Sequence, residues 1–290
     1  MSEIPRLAVT GSNGAVGGRV ARRLADAGVG QRLLVRAAGD APDLDRAVPV
    51  EVPDYGDFDA MKAALSGVET LFLVSFREAE DRLERHFRAV DAVASAGVER
   101  LVYLSFLQAS PDSTFKLGRQ HYATEQHIRE SGVAFTFLQS SLYADFVPFF
   151  TGEDGVIRAP AGDGRVSWIS RDDIADTVVA TIQNDAWTGQ ALENTGPAAL
   201  DFYETADILS RVTGRDISYV EETEEEAWES RRPTGAPDWE IEGWVSSYLA
   251  VANGELSTVS DTVEKLTGHP PVDLESFLIA NPDLWSHLRK

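Results

Sequence analysis

Cysteine is absent from this chain. That excludes disulfides, thiolate metal sites and a cysteine nucleophile, and it fits a cytoplasmic setting. Long apolar runs are missing too. The longest are strand-sized, such as "LFLVSF" at 71–76, far short of the ~20 residues that span a bilayer. The opening "MSEIPRLAVT" carries no basic region followed by an apolar core and a cleavage site, so no secretory leader is expected there. Positive charge is scarce: 26 Lys and Arg stand against 47 Asp and Glu, a net charge of −21. Such a surface repels nucleic-acid phosphates and anionic membranes, so neither is an expected partner. The acidic excess reads as a solubility feature or a salt-adapted source. Its densest block, "EETEEEAWE" at 221–229, is spaced like a solvated helix face rather than a metal site.

What is present is an alternation of strand and helix. The 290 residues suffice for a nucleotide-binding domain with a smaller lobe. Strands are expected at 6–10, 31–36, 69–76, 100–106 and 133–138, with a short strand and then a turn within 48–57. Helices are expected at 14–27, 57–68, 78–97 and 118–131, with Asp57 as an N-cap and Gly97 as a stop. No hairpin signals intervene. The pattern predicts an α/β fold, a doubly wound parallel Rossmann sheet. Residues 1–150 are expected to form the dinucleotide-binding domain and 151–290 a smaller C-terminal α/β substrate lobe, with the helix at 171–185 returning to the first domain. The stretch 233–255 reads as a less regular, helix-containing cap.

Three glycines, Gly11, Gly14 and Gly17, follow the first strand and open the first helix. Gly11 would turn the chain out of the strand. Gly14 would let backbone approach a pyrophosphate, and Gly17 would let helix and sheet pack closely. The phosphates would then sit on the helix N-terminus. The alternative is a plain glycine-rich turn. Arg36 ends the second strand, where NAD enzymes usually carry an acid. A guanidinium suits the 2′-phosphate of NADP, which makes NADP the expected cofactor over NAD. Alternatively, Arg36 pairs with Asp40 or Asp43. Asp54 and Tyr55 are placed to meet the adenine, and Ser75 and Phe76 lie along the nicotinamide half.

The segments "TGSNGAVGG", "LLVR", "PDYGD", "AGVERLVYLSF", "HYATEQHIRESGVAFTFLQSSLYADF", "RDDIAD" and "LTGHPPVDLESF" follow one another as in NmrA-like proteins. These are atypical members of the short-chain dehydrogenase/reductase superfamily. The chain resembles above all the type 2 NADPH-dependent quinone oxidoreductases and the triphenylmethane reductases. The resemblance implies phosphate contacts at Gly11, Ser12, Asn13, Gly14, Ala15 and Val16, and a 2′-phosphate contact at Arg36. It further implies cofactor contacts at Asp54, Tyr55, Ser75, Phe76, Ser105, Phe106, Leu107 and Leu142, with Tyr143 approaching the nicotinamide.

The superfamily's Tyr-x-x-x-Lys pair is not written. From Tyr122, the fourth residue on is Gln126. Aligning on Glu125, as in extended relatives, places His121 where Lys would stand and Leu117 where Tyr would stand. Leu117 has no proton to donate. Two accounts follow. One is hydride delivery to a quinone or similar conjugated acceptor, which needs no dedicated acid. The other is a non-catalytic NADP-binding redox sensor acting through a protein partner. His121 could orient the nicotinamide ribose or relay a proton, or it could simply bond locally on its helix. His86 reads as structural. His127, His269 and His287 lack metal-ligand spacing, so no metal is expected. Ser140 and Ser141 lie in no nucleophile elbow. Of Tyr143, Phe146, Phe149, Phe150 and Trp168, some could wall an aromatic substrate, and core packing is expected for at least half. The sequence leaves a homodimer open.

Overall fold

The strand order of the main sheet places the glycine turn after the first strand. A computed structural model describes residues 4–289. Nine strands run in chain order: β1 (Leu7–Thr10), β2 (Gln31–Val35), β3 (Ala47–Glu51), β4 (Thr70–Leu73), β5 (Arg100–Phe106), β6 (Ala134–Ser140), β7 (Val156–Ala159), β8 (Ala191–Asn194) and β9 (Ser218–Glu221). Seven form one sheet in the order β3-β2-β1-β4-β5-β6-β8. The pairings β1–β2, β1–β4, β2–β3 and β4–β5 are parallel. Sequence order reverses between β1 and β4, the point where open α/β sheets bind ligands beyond their carboxyl ends. Every residue of β1 and β2 is buried, as expected of strands covered on both faces. Even Arg32 of β2 is buried. It donates to the carbonyls of Pro5, Ala64 and Ser66.

The helices are α1 (Gly17–Asp26), α2 (Phe58–Ala64), α3 (Arg82–Ser95), α4 (Lys116–Ser131), α5 (Arg171–Gln183), α6 (Phe202–Thr213), α7 (Glu224–Arg231), α8 (Asp238–Ala252), α9 (Thr262–Thr267) and α10 (Leu274–Ala280). Asp57 caps α2 through the Ala60 amide. α1 begins at Gly17 rather than near residue 14, because the Gly14 N–H closes a turn onto the Gly11 carbonyl at 2.8 Å. Ala27 is exposed as the C-cap of α1, while Val16, Val20 and Leu24 are buried as the apolar stripe requires. α3 starts at Arg82, not 78, since Arg82 turns inward to hold the carbonyl of Phe76. The stretch 233–255 is more regular than its composition suggests. Most of it is the 15-residue α8. The acidic block forms β9's last residue and α7, whose Thr223–Glu226 capping box satisfies the helix N-terminus.

The chain divides into two compact units. The first comprises Met1–Ser105, Gln120–Gln139 and Ile174–Leu192. Its core gathers Leu34, Leu71, Leu73, Val90, Leu101, Tyr103 and Phe137 between sheet and helices. The second comprises Phe106–Arg119, Ser140–Asp173 and Glu193–Lys290. It holds the parallel pair β7–β9 and a core built on Val147, Ile157, Trp168, Phe202 and Tyr219. No helix among the described residues is long and apolar enough to cross a membrane.

Candidate active site

The turn after β1 is shaped by what it cannot contain. Gly11 has φ +58°, a left-handed conformation that a side chain would strain. A Cβ at Gly17 would stand 2.3 Å from the Gly11 carbonyl oxygen and 2.6 Å from that of Thr10. Helix and turn are therefore in backbone contact. Two side chains brace the turn. Tyr55 donates its hydroxyl to the Leu34 carbonyl at 2.6 Å and accepts the Gly11 N–H at 3.3 Å. Thr10 donates to the Phe72 carbonyl and accepts from the Val74 N–H.

Several features fit a bound pyrophosphate. α1 has no side-chain cap and no acid in its first turn, so its N-terminal N–H groups and positive dipole end suit an anion. Asn13, Gly14 and Ala15 are exposed. Ser12 is buried, with a hydroxyl that has no partner. Arg36 is exposed one residue beyond β2, and neither Asp40 nor Asp43 pairs with it among the described residues. Its charge is felt at Tyr55, whose hydroxyl burial pushes up from its ordinary range. Asp54 is engaged elsewhere. It binds Arg85 at 2.6 Å and caps the Gly56 amide, and these contacts hold its carboxyl below the usual range against the cost of burial.

A second cluster in the same unit surrounds Phe76, three residues past β4. The Phe76 N–H donates to His86 Nε2 at 2.9 Å, and the Phe76 carbonyl accepts from Arg82 Nε at 2.9 Å. Arg82 is 2% exposed. It also donates to Gln120 Oε1 at 2.8 Å and to His121 Nε2 at 3.1 Å. These donors fix the histidines. A backbone N–H and a guanidinium can only donate, so both Nε2 atoms are acceptors. The protons then sit on Nδ1. His86 Nδ1 donates to Thr124 Oγ1 at 3.1 Å, and His121 Nδ1 to the Tyr103 hydroxyl at 2.9 Å. Burial first, and the Arg82 charge second, hold both rings well below the ordinary histidine range. Both are neutral at pH 7. His121 is thus tied to α3 and β5 rather than bonded locally on its own helix.

Ser105, near the end of β5, donates to Glu125 Oε1 at 2.5 Å, and Gln139 donates to the same oxygen at 2.9 Å. Glu125 is buried, and desolvation pushes its carboxyl up while both hydrogen bonds pull it down. Ser75 is half-buried. Leu117, His121 and Glu125 follow one another at single-turn intervals on α4.

The remaining predicted residues belong to the second unit. Phe106 packs on Phe115 with ring centres 4.9 Å apart. Leu107 is buried, and its N–H reaches the Ser140 carbonyl. Leu142 is half-buried beside the same core. Tyr143 bridges to Ile169 and stacks on Phe146, with the Arg171 guanidinium over both rings. Trp168 is buried and Phe150 packs against the core, whereas Phe146 and Phe149 are exposed. Ser140 and Ser141 are buried and bonded to Asn194 and Ser167. No group of three metal-ligating side chains occurs among the described residues. Arg82, Tyr103, Gln120, Thr124 and Gln139 were not foreseen. The available signal was spacing: Arg82 and His86, like His121 and Glu125, stand four apart and share a helix face.

The NmrA-like family model matches residues 4–237. The chain belongs to the NmrA-like family. This NmrA-like protein is 32% identical over 277 residues to the NAD(P)H azoreductase of Xenophilus azovorans, covering 94% of this chain and 96% of that protein. Its fold is similar to that of the NADPH-dependent quinone oxidoreductase of Escherichia coli complexed with NADPH, with a TM-score of 0.86 and 28% identity over 97% of this chain and 99% of the other. It is also similar to the Citrobacter triphenylmethane reductase complexed with NADP(H), with a TM-score of 0.81 and 27% identity over 93% and 98% of the two chains.

Proposed function

We propose that this NmrA-like protein is an NADPH-dependent reductase that passes hydride to a quinone or a similar conjugated acceptor. The observation that carries the reading is the phosphate turn: backbone contact at Gly17, an uncapped α1 and an unpartnered Ser12 hydroxyl. Arg36, exposed and unpaired with Asp40 or Asp43, would take the 2′-phosphate. When bound, NADPH supplies the hydride. The named activities of the azoreductase and the quinone oxidoreductase support the same class of acceptor.

The chain's own residues shape the chemistry by what they withhold. Leu117 has no proton to give. His121 has both ring nitrogens engaged and stays neutral. An acceptor that delocalises the incoming charge, and is protonated from solvent, suits this site. The first unit holds the cofactor, with the Ser75–Phe76 segment along its nicotinamide half. A panel of quinones, azo compounds and cationic dyes mixed with protein and NADPH, followed by cofactor absorbance, tests this. Oxidation with at least one class is expected. Tight NADPH binding without oxidation across the panel would overturn it and favour a cofactor sensor.

A further inference from the structure

Both main-chain polar groups of Phe76 are taken by side chains of α3: the N–H by His86, the carbonyl by Arg82. The Phe76 ring meets the His86 ring edge-on, with centres 4.4 Å apart. The two clamping side chains are then registered against α4. Arg82 reaches Gln120 and His121, and His86 reaches Thr124, whose hydroxyl in turn donates to the Gln120 carbonyl. His86 is fully buried and Arg82 nearly so. Burying a guanidinium is costly unless its donors are used, and here three of them are aimed at separate acceptors.

We propose that Arg82 and His86 are positioning residues for NADPH: they set the path of the chain after β4, so that Ser75 and Phe76 present one fixed surface to the nicotinamide half of the cofactor. This rests on the reading that these two residues border the cofactor. The clamp works in one protonation state. A protonated His86 ring would donate from Nε2 and could no longer accept the Phe76 N–H. The groups facing His86 oppose that protonation or leave it unaided: Arg82 and Arg85 on α3, His121 on α4 and the Tyr103 phenol of β5. Leucine at 86 would remove the acceptor. Glutamine would keep one, on its amide oxygen, that does not titrate.

The test compares His86→Leu, His86→Gln, Arg82→Lys and wild type by NADPH titration, turnover and hydrogen exchange at the Ser75 and Phe76 amides. His86→Leu should weaken NADPH binding about tenfold, the effect of one buried N–H left unpaired, and raise KM more than it lowers kcat. His86→Gln should recover most of that loss. Arg82→Lys, which keeps the charge but not the fork of donors, should lie between and serves if His86→Leu does not fold. If NADPH protects the two amides in wild type while all the variants bind it equally, the positioning role is refuted and the cofactor placement stands. If NADPH leaves those amides unprotected in wild type, the placement itself is wrong, and the inference falls with it.

Discussion

Two buried neutral imidazoles make stability depend on pH with a definite sign. In the folded chain His86 and His121 are held well below the ordinary histidine range, chiefly by burial and then by the charge of Arg82. In the unfolded chain each ring takes its proton near pH ~6.5. Above that pH neither state binds the proton, and stability is level. Below it the unfolded chain binds protons that the folded chain refuses, so stability falls as pH drops. From about pH 7.5 to about pH 5.5 the loss is on the order of 1 kcal/mol per ring. Glu125 acts in the opposite sense. Its raised folded value means that the native state takes up a proton before the unfolded one does, and so gains stability as pH falls. Urea unfolding midpoints should therefore fall across this window in wild type, and at least as steeply in Glu125→Gln. NMR of the ring protons gives the direct check. Midpoints that stay level or rise in both proteins, or a folded His86 or His121 that titrates near pH ~6.5, would refute the reasoning.

Gly17→Ala should be the most damaging single methyl in the nucleotide unit. Its Cβ meets backbone oxygens at 2.3 and 2.6 Å, so α1 must move away from the turn. A cost of about 1–3 kcal/mol and a loss of NADPH binding are expected, read by thermal melting and cofactor titration; wild-type values for both would contradict the close-contact account. Arg36→Asp should weaken NADPH binding about ten- to a hundredfold, as expected for a lost charge-assisted hydrogen bond, with far less effect on NADH. An equal loss for the two cofactors would show that Arg36 does not read the 2′-phosphate.

The sheet and its glycine turn were legible because their signals are local. Glycines after a buried strand, and strand–helix alternation without hairpins, need no knowledge of distant partners. The position of Arg36, exposed just beyond β2, was legible for the same reason. The histidine cluster was not. Its meaning depends on which neighbours meet each ring, and those come from β4's end, α3, β5 and α4. Spacing could place His121 one turn after Leu117, but only the fold shows both of its nitrogens taken. Asp54 shows a similar limit. Its position after β3 is visible in sequence, whereas its ion pair with Arg85, 31 residues on, is not.

The discontinuity of the nucleotide unit has a consequence for how the protein is made. Its last contribution, Ile174–Leu192, includes the carbonyls of Thr181 and Asn184 that receive the Arg100 guanidinium, and the Gln190 carbonyl that pairs with the Phe137 amide. At ~5–20 residues per second on the ribosome, β1 and its glycine turn wait some ten seconds or more for these partners. The glycine turn thus emerges well before its unit is complete, and that unit is closed only after about a third of the second unit has emerged.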